Sequence, residues 1–111
     1  MAKLELTLSG HFDNILQRIE RGILNGSISA SLEDRSDIVI GETRCSVLVF
    51  ERYSYSGGNR VSLNVTLVKA GETICLSAIT AGGSQAVFFK INTFGEEAFL
   101  DKLKEVLYNQ N

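Results

Sequence analysis

From Lys3 to Leu8 polar and apolar residues alternate, with Leu4, Leu6 and Leu8 on one side, the period of a half-buried strand. The period then changes. Phe12, Ile15, Leu16, Ile19 and Ile23 recur at helical spacing, with Arg18, Glu20 and Arg21 between them. This predicts a helix over residues 10–24, with Ser9 as N-cap and Gly22 and Gly26 marking where it frays and stops. Alternation returns over Ser27 to Glu33, with Ile28, Ala30 and Leu32 facing in. Residues 34–43 carry the weakest pattern. Within 37–42, Ile38-Val39-Ile40 reads either as a short strand or as a loop segment tucked over the core edge.

Beyond Arg44 the pattern sharpens into four strand-like runs, 44–55, 60–69, 72–81 and 84–92, separated by Gly57-Gly58, Ala70-Gly71 and Gly82-Gly83. Two-residue hairpin turns need positive φ, which glycine adopts without steric cost. With each pair as a turn centre, Phe50 faces Val65 and Leu48 faces Leu67. Val65 then faces Leu76, Leu67 faces Ile74, and on the last strand Phe89, Ile91 and Val87 face Leu76, Ile74 and Ala78. Three separately placed turns thus collect one apolar set on one face, whereas a slip of one residue would move a strand's set to the other. Thr93-Phe94-Gly95-Glu96 fits a capping box, and Phe99, Leu103, Val106 and Leu107 follow at helical spacing.

The expected fold is a single α+β domain over residues 1–111: an antiparallel β-meander with two helices packed on one face, in the order β-α-β-β-β-β-β-α. It looks like a TATA-binding-protein-like or helix-grip arrangement, an analogy that carries no function with it. The first strand belongs at a sheet edge. If every connection is a simple reversal it runs parallel to the last strand, and an extra strand in 37–42 would change that parity. By strand direction, both helices end near the glycine turns.

Composition narrows the classes of function. The chain has 111 residues, 44% hydrophobic and 22% charged, ordinary for a globular domain. A net charge of −2 and a pI near 5.4 argue against nucleic acid as a partner, because such binding draws on clustered Lys and Arg. No apolar run approaches the roughly 20 residues that cross a bilayer, and the first residues lack a secretory apolar core, so no membrane partner and a cytoplasmic location are expected. Pro and Trp are absent, so sharp reversals fall to Gly, Asn, Asp and Ser.

The stretches Gly26-Ser27-Ile28-Ser29-Ala30-Ser31-Leu32-Glu33-Asp34, Gly57-Gly58-Asn59-Arg60-Val61-Ser62-Leu63-Asn64 and Gly82-Gly83-Ser84-Gln85-Ala86-Val87-Phe88-Phe89-Lys90-Ile91 resemble a family of small bacterial proteins. The resemblance covers nearly the whole chain. It implies a domain of unknown function and supplies no catalytic or binding residue to carry over.

No motif carries recognisable chemistry. His11, the only histidine, sits at a helix start, and the sequence nominates neither a partner for its tautomer nor a nucleophile. Cys45 and Cys75 are too few for a disulfide framework or a zinc site. Both fall on the face away from the helices, separated by an intervening strand, with Lys90 diagonally near Cys75. The glycine pairs join strand to strand, whereas phosphate loops lead into a helix N-terminus. Glu51, set opposite Asn64, has no second carboxylate beside it. No metal or cofactor is implied.

Two constellations remain. Arg52, Ser54, Thr80 and Gln85 share the helix-facing side near the glycine turns, where Arg52 either caps helix carbonyls or binds a small anionic ligand. The opposite face carries Val49, Tyr53, Ile79 and Phe88, with Val47, Tyr55 and Ala86, among Ser62, Asn64, Thr66, Ser77 and Lys90. That is more apolar than a solvated face, and it suggests a homodimer or another protein interface. The residues favour a non-catalytic domain that binds a small ligand or a protein partner. The alternatives are a small-molecule enzyme with a pocket near Arg52, or a structural subunit assembling through its open sheet face.

Overall fold

The computed structural model describes residues 1–53, 60–82 and 89–108, the last stretch with side chains from Glu96 onward. The described elements are β1 (Ala2–Leu8), α1 (Phe12–Gly26), β2 (Ser31–Ile40), β3 (Thr43–Tyr53), β4 (Arg60–Ala70), β5 (Thr73–Gly82) and α2 (Phe89–Tyr108). The strands form one antiparallel sheet in the order β1-β5-β4-β3-β2. The α+β class and the meander stand as the sequence predicts.

The expected sixth strand, 84–92, does not stand. Residues 89–92 belong to α2, and 83–88 lie outside the described residues. Its place beside β5 is taken by β1, which pairs with β5 antiparallel, Leu6 facing Leu76 and Leu4 facing Ala78. Losing one strand inverts the parity, so β1 is not parallel to the last strand. The same change turns α2 around: it starts near the end of β5, where the Glu96 carboxylate accepts a hydrogen bond from the Gly82 N–H at 2.7 Å. Only α1 therefore ends at the end of the sheet where both helices were expected to end. Thr93, the expected N-cap, lies inside α2.

The pairing register differs from the expected one by two residues in both the β3–β4 and the β4–β5 pairing. Leu48 faces Val65 and Phe50 faces Leu63; Val65 faces Ala78 and Leu67 faces Leu76. The β4–β5 reversal centres on Gly71-Glu72, one residue later than Ala70-Gly71, with Gly71 at φ +63°. A shift of two keeps every side chain on its face, so Leu48, Phe50, Val65, Leu67, Ile74, Leu76 and Ala78 all reach the core as expected. They pack with Phe12, Ile15, Leu16, Ile19 and Ile23 of α1 and with Phe99, Leu100, Leu103 and Leu107 of α2 in one cluster.

The second strand starts later and runs longer than the sequence suggested. β2 takes in the doubtful 34–40 segment and reverses into β3 through Gly41-Glu42, with Gly41 at φ +59°. Ser27 to Ala30 precede it. α1 is likewise shifted: His11, not Ser9, occupies the N-cap position in extended backbone and makes no side-chain cap bond. Gly22 does not mark a fray. It lies within α1, where a Cβ would meet the Val106 methyls of α2 at 2.5 Å.

Candidate functional site: the uncovered sheet face

Alternation puts Ser46, Leu48, Phe50 and Arg52 of β3 toward the helices and Cys45, Val47, Val49 and Tyr53 away from them. Of the Arg52 constellation, Ser54 and Gln85 lie outside the described residues. Arg52 is buried, its guanidinium 4.5 Å from the centre of the Phe99 ring. Thr80 is fully buried. Its Oγ1 accepts from the Ala2 N–H at 3.3 Å and donates to the Ala2 carbonyl at 3.4 Å, tying β1 to β5. The two are not at one level: Thr80 faces Leu63 on β4, whereas Arg52 faces Val61. Arg52 thus packs on an aromatic face and Thr80 bonds the backbone of β1.

Glu96, read from sequence as part of a capping box, is also buried there. Besides the Gly82 N–H, it pairs with the Met1 amino group at 2.8 Å.

The opposite face of the sheet is covered by no described element. Its register can be followed strand by strand across the sheet. One row runs Lys3, Ile79, Asn64, Val49, Asp34; the next Glu5, Ser77, Thr66, Val47, Ser36; the third Thr7, Cys75, Val68, Cys45, Ile38. Tyr53 sits opposite Arg60, whose guanidinium lies 5.1 Å from the Tyr53 ring centre and bonds Glu51 at 2.6 Å. That hydrogen bond is the main cause that raises the Arg60 pKa. Glu51 therefore faces Ser62, not Asn64, and its partner is a cation. Tyr53 is 51% and Ile79 41% exposed, while Val47, Val49 and Val68 are half-buried by their neighbours. A shallow depression between β1, β5 and β4 is lined by Glu5, Thr7, Thr66, Val68, Cys75 and Ser77. Of the residues expected on this face, Tyr55, Ala86 and Phe88 lie outside the described residues, and Lys90 belongs to α2.

Cys45 and Cys75 are free thiols on this face, both opposite Val68. Two strand spacings, about 10 Å, separate them, beyond the roughly 5.5 Å Cα distance of a disulfide. His11 is exposed. No group of three or more His, Cys, Asp or Glu side chains converges among the described residues, and no described helix is long and apolar enough to cross a membrane.

A charged network that the sequence reading missed links α1 to β2 and β3. Arg35 bonds Asp37 at 3.0 Å and Glu20 at 3.0 Å, and Arg44 holds Asp13 with two bonds at 2.9 and 3.1 Å while lying over Phe12. The Ser46 hydroxyl donates to Asp37 at 2.5 Å. The Arg35 bond first, then the Ser46 bond, holds the Asp37 carboxyl below its ordinary 3.8, and Arg44 does the same for Asp13. The available signal was the Asp34-Arg35-Ser36-Asp37 run, whose alternating charges suit a strand with both faces wet.

These features describe a two-layer α+β domain with one helix-covered and one bare sheet face, and no assembled catalytic group among the described residues. The chain belongs to a family of unknown function, DUF6054, whose model matches residues 1–111. No curated protein matches it. Among solved structures, it is similar to the protein of unknown function PA94 from Pseudomonas aeruginosa, at 11% identity and a TM-score of 0.53, covering 93% of this chain and 80% of that one. It also aligns with Chr148 from Cytophaga hutchinsonii at 12% identity and a TM-score of 0.40, over 96% and 91% of the two chains. The first similarity is one of fold alone.

Proposed function

We propose that this chain is a non-catalytic binding domain whose uncovered sheet face receives an apolar surface of a partner protein. The observation that carries this reading is the bare face itself. Ile79, Val49, Val47 and Val68 lie across three strands, interleaved with hydrogen-bonding Asn64, Thr66 and Ser77. A face that mixes exposed apolar and hydrogen-bonding side chains in this way suits protein contact better than solvent. Arg52 packs against Phe99 and Thr80 bonds the Ala2 backbone, contacts that support a structural role for both beside this reading.

The test is native mass spectrometry of tagged protein drawn from its own cells, comparing wild type with Ile79→Lys. A charge on this exposed side chain should strip the partner from the domain while the Tm stays within a few degrees. A complex that survives the substitution overturns the reading.

A further inference from the structure

The outer edge of β2 is a second, separate surface. β2 ends the sheet, so among the described residues its outer N–H and C=O groups have no neighbouring strand. Every residue from Glu33 to Ile40 is exposed, and Ile38, Val39 and Ile40 are 47%, 67% and 73% exposed on alternating sides. Natural edge strands are commonly blunted by charged side chains, Lys above all, by Pro or by bulges. β2 has neither Lys nor Pro, and its charges (Glu33, Asp34, Arg35 and Asp37) and its one irregularity, between Leu32 and Asp34, all precede the apolar end Ile38–Ile40.

We propose that β2 pairs antiparallel with β2 of a second copy, about a two-fold axis normal to the sheet at Ser36. Such an axis keeps the helices of both copies on the same side, so it must pass through a residue rather than between two. Centred on Arg35 it would set guanidinium against guanidinium, and centred on Asp37 carboxylate against carboxylate. Like charges directly opposite are destabilising. Centres at Ile38 or beyond engage only the last few residues of the strand. Centred on Ser36, each Arg35 faces Asp37 of the other copy, and small hydroxyls meet at the axis. Val39, on the same face as Leu32, then runs toward Leu32 of the second copy. Arg35 and Asp37 already bond on one side of the strand, so pairing closes a ring of four charges of alternating sign. This self-complementarity is what commits the edge to a second copy, joining two sheets side by side and leaving both bare faces open.

Sedimentation of the full chain, with Tm as a check on folding, tests the idea. Wild type should dimerise. Arg35→Asp should weaken the dimer by about tenfold or more, and Arg35→Asp combined with Asp37→Arg should restore it. In a Cys45→Ser, Cys75→Ser background, Ser36→Cys should oxidise to a linked dimer. Ile38→Cys should not, because its counterpart lies four residues or about 13 Å away. A monomer at every concentration, a dimer indifferent to Arg35→Asp, or linkage at 38 in place of 36 would each overturn it. None of these results bears on the Ile79→Lys test.

Discussion

Gly22 and Gly26 lie one turn apart on the side of α1 that meets α2. A side chain at Gly22 would collide with Val106, a β-branched residue with little rotameric freedom, whereas at Gly26 it would meet only the flexible end of Lys102. Gly22→Ala therefore sets two effects against each other. Ala favours a helix interior by about 1 kcal/mol, but overpacking a tight contact costs about 1–3 kcal/mol. The clash should win, so Gly22→Ala lowers the Tm and Val106→Ala in the same chain recovers much of the loss. A rise in Tm for the single variant would contradict the close approach. From sequence alone both glycines looked like helix terminators, which holds for Gly26, the last residue of α1, but not for Gly22, since a glycine has the same letter whether it ends a helix or admits a neighbour. The apolar stripe of α1 was legible because burial repeats it five times; the packing partner of a glycine repeats nowhere. Arg52 and Thr80 show the same limit. Their face was readable, but what each touches depends on where β1 and α2 dock.

Among the elements, β2 and α2 departed furthest from their sequence patterns. Alternation identifies a strand only when one face is buried, and β2 from Glu33 onward is wet on both. It is held instead by its ladder with β3 and by charges. That holding has a pH signature. Asp37 and Asp13 have lowered folded-state pKa values, so their ion pairs contribute in full above the ordinary carboxylate value of 3.8 and are lost as pH falls through the lowered folded values. Asp37→Asn should thus flatten the decline in stability below about pH 4, and added salt should mimic part of that effect, because these groups are exposed and screened. An unchanged acid limb in thermal melts at low salt would show that the pair contributes nothing. The misread of residues 89–92 has a related cause: Phe89 and Ile91 alternate like a strand over too few residues to separate that period from a helical one.

At the scale of the molecule, the face assignment survived a register error in the β3–β4 and β4–β5 pairings, because the error was two residues in each. Parity decides which face a side chain takes, and the glycine turns conveyed parity even where they misplaced the turn centre. Strand count, by contrast, controls the direction of everything after it, and one strand too many reversed α2 and left the neighbour of β1 open. The edge position of β1 was right, and its partner is β5. Its contacts with β5 join the two most distant strands of the chain, Ala2 meeting Thr80 across 78 positions. β2 to β5 close through short reversals, whereas β1 must wait for its neighbour to exist. Chain closure is therefore a late event in folding, and β1 should be the first strand to release its amides to solvent exchange, ahead of β3 and β4 at the centre of the ladder.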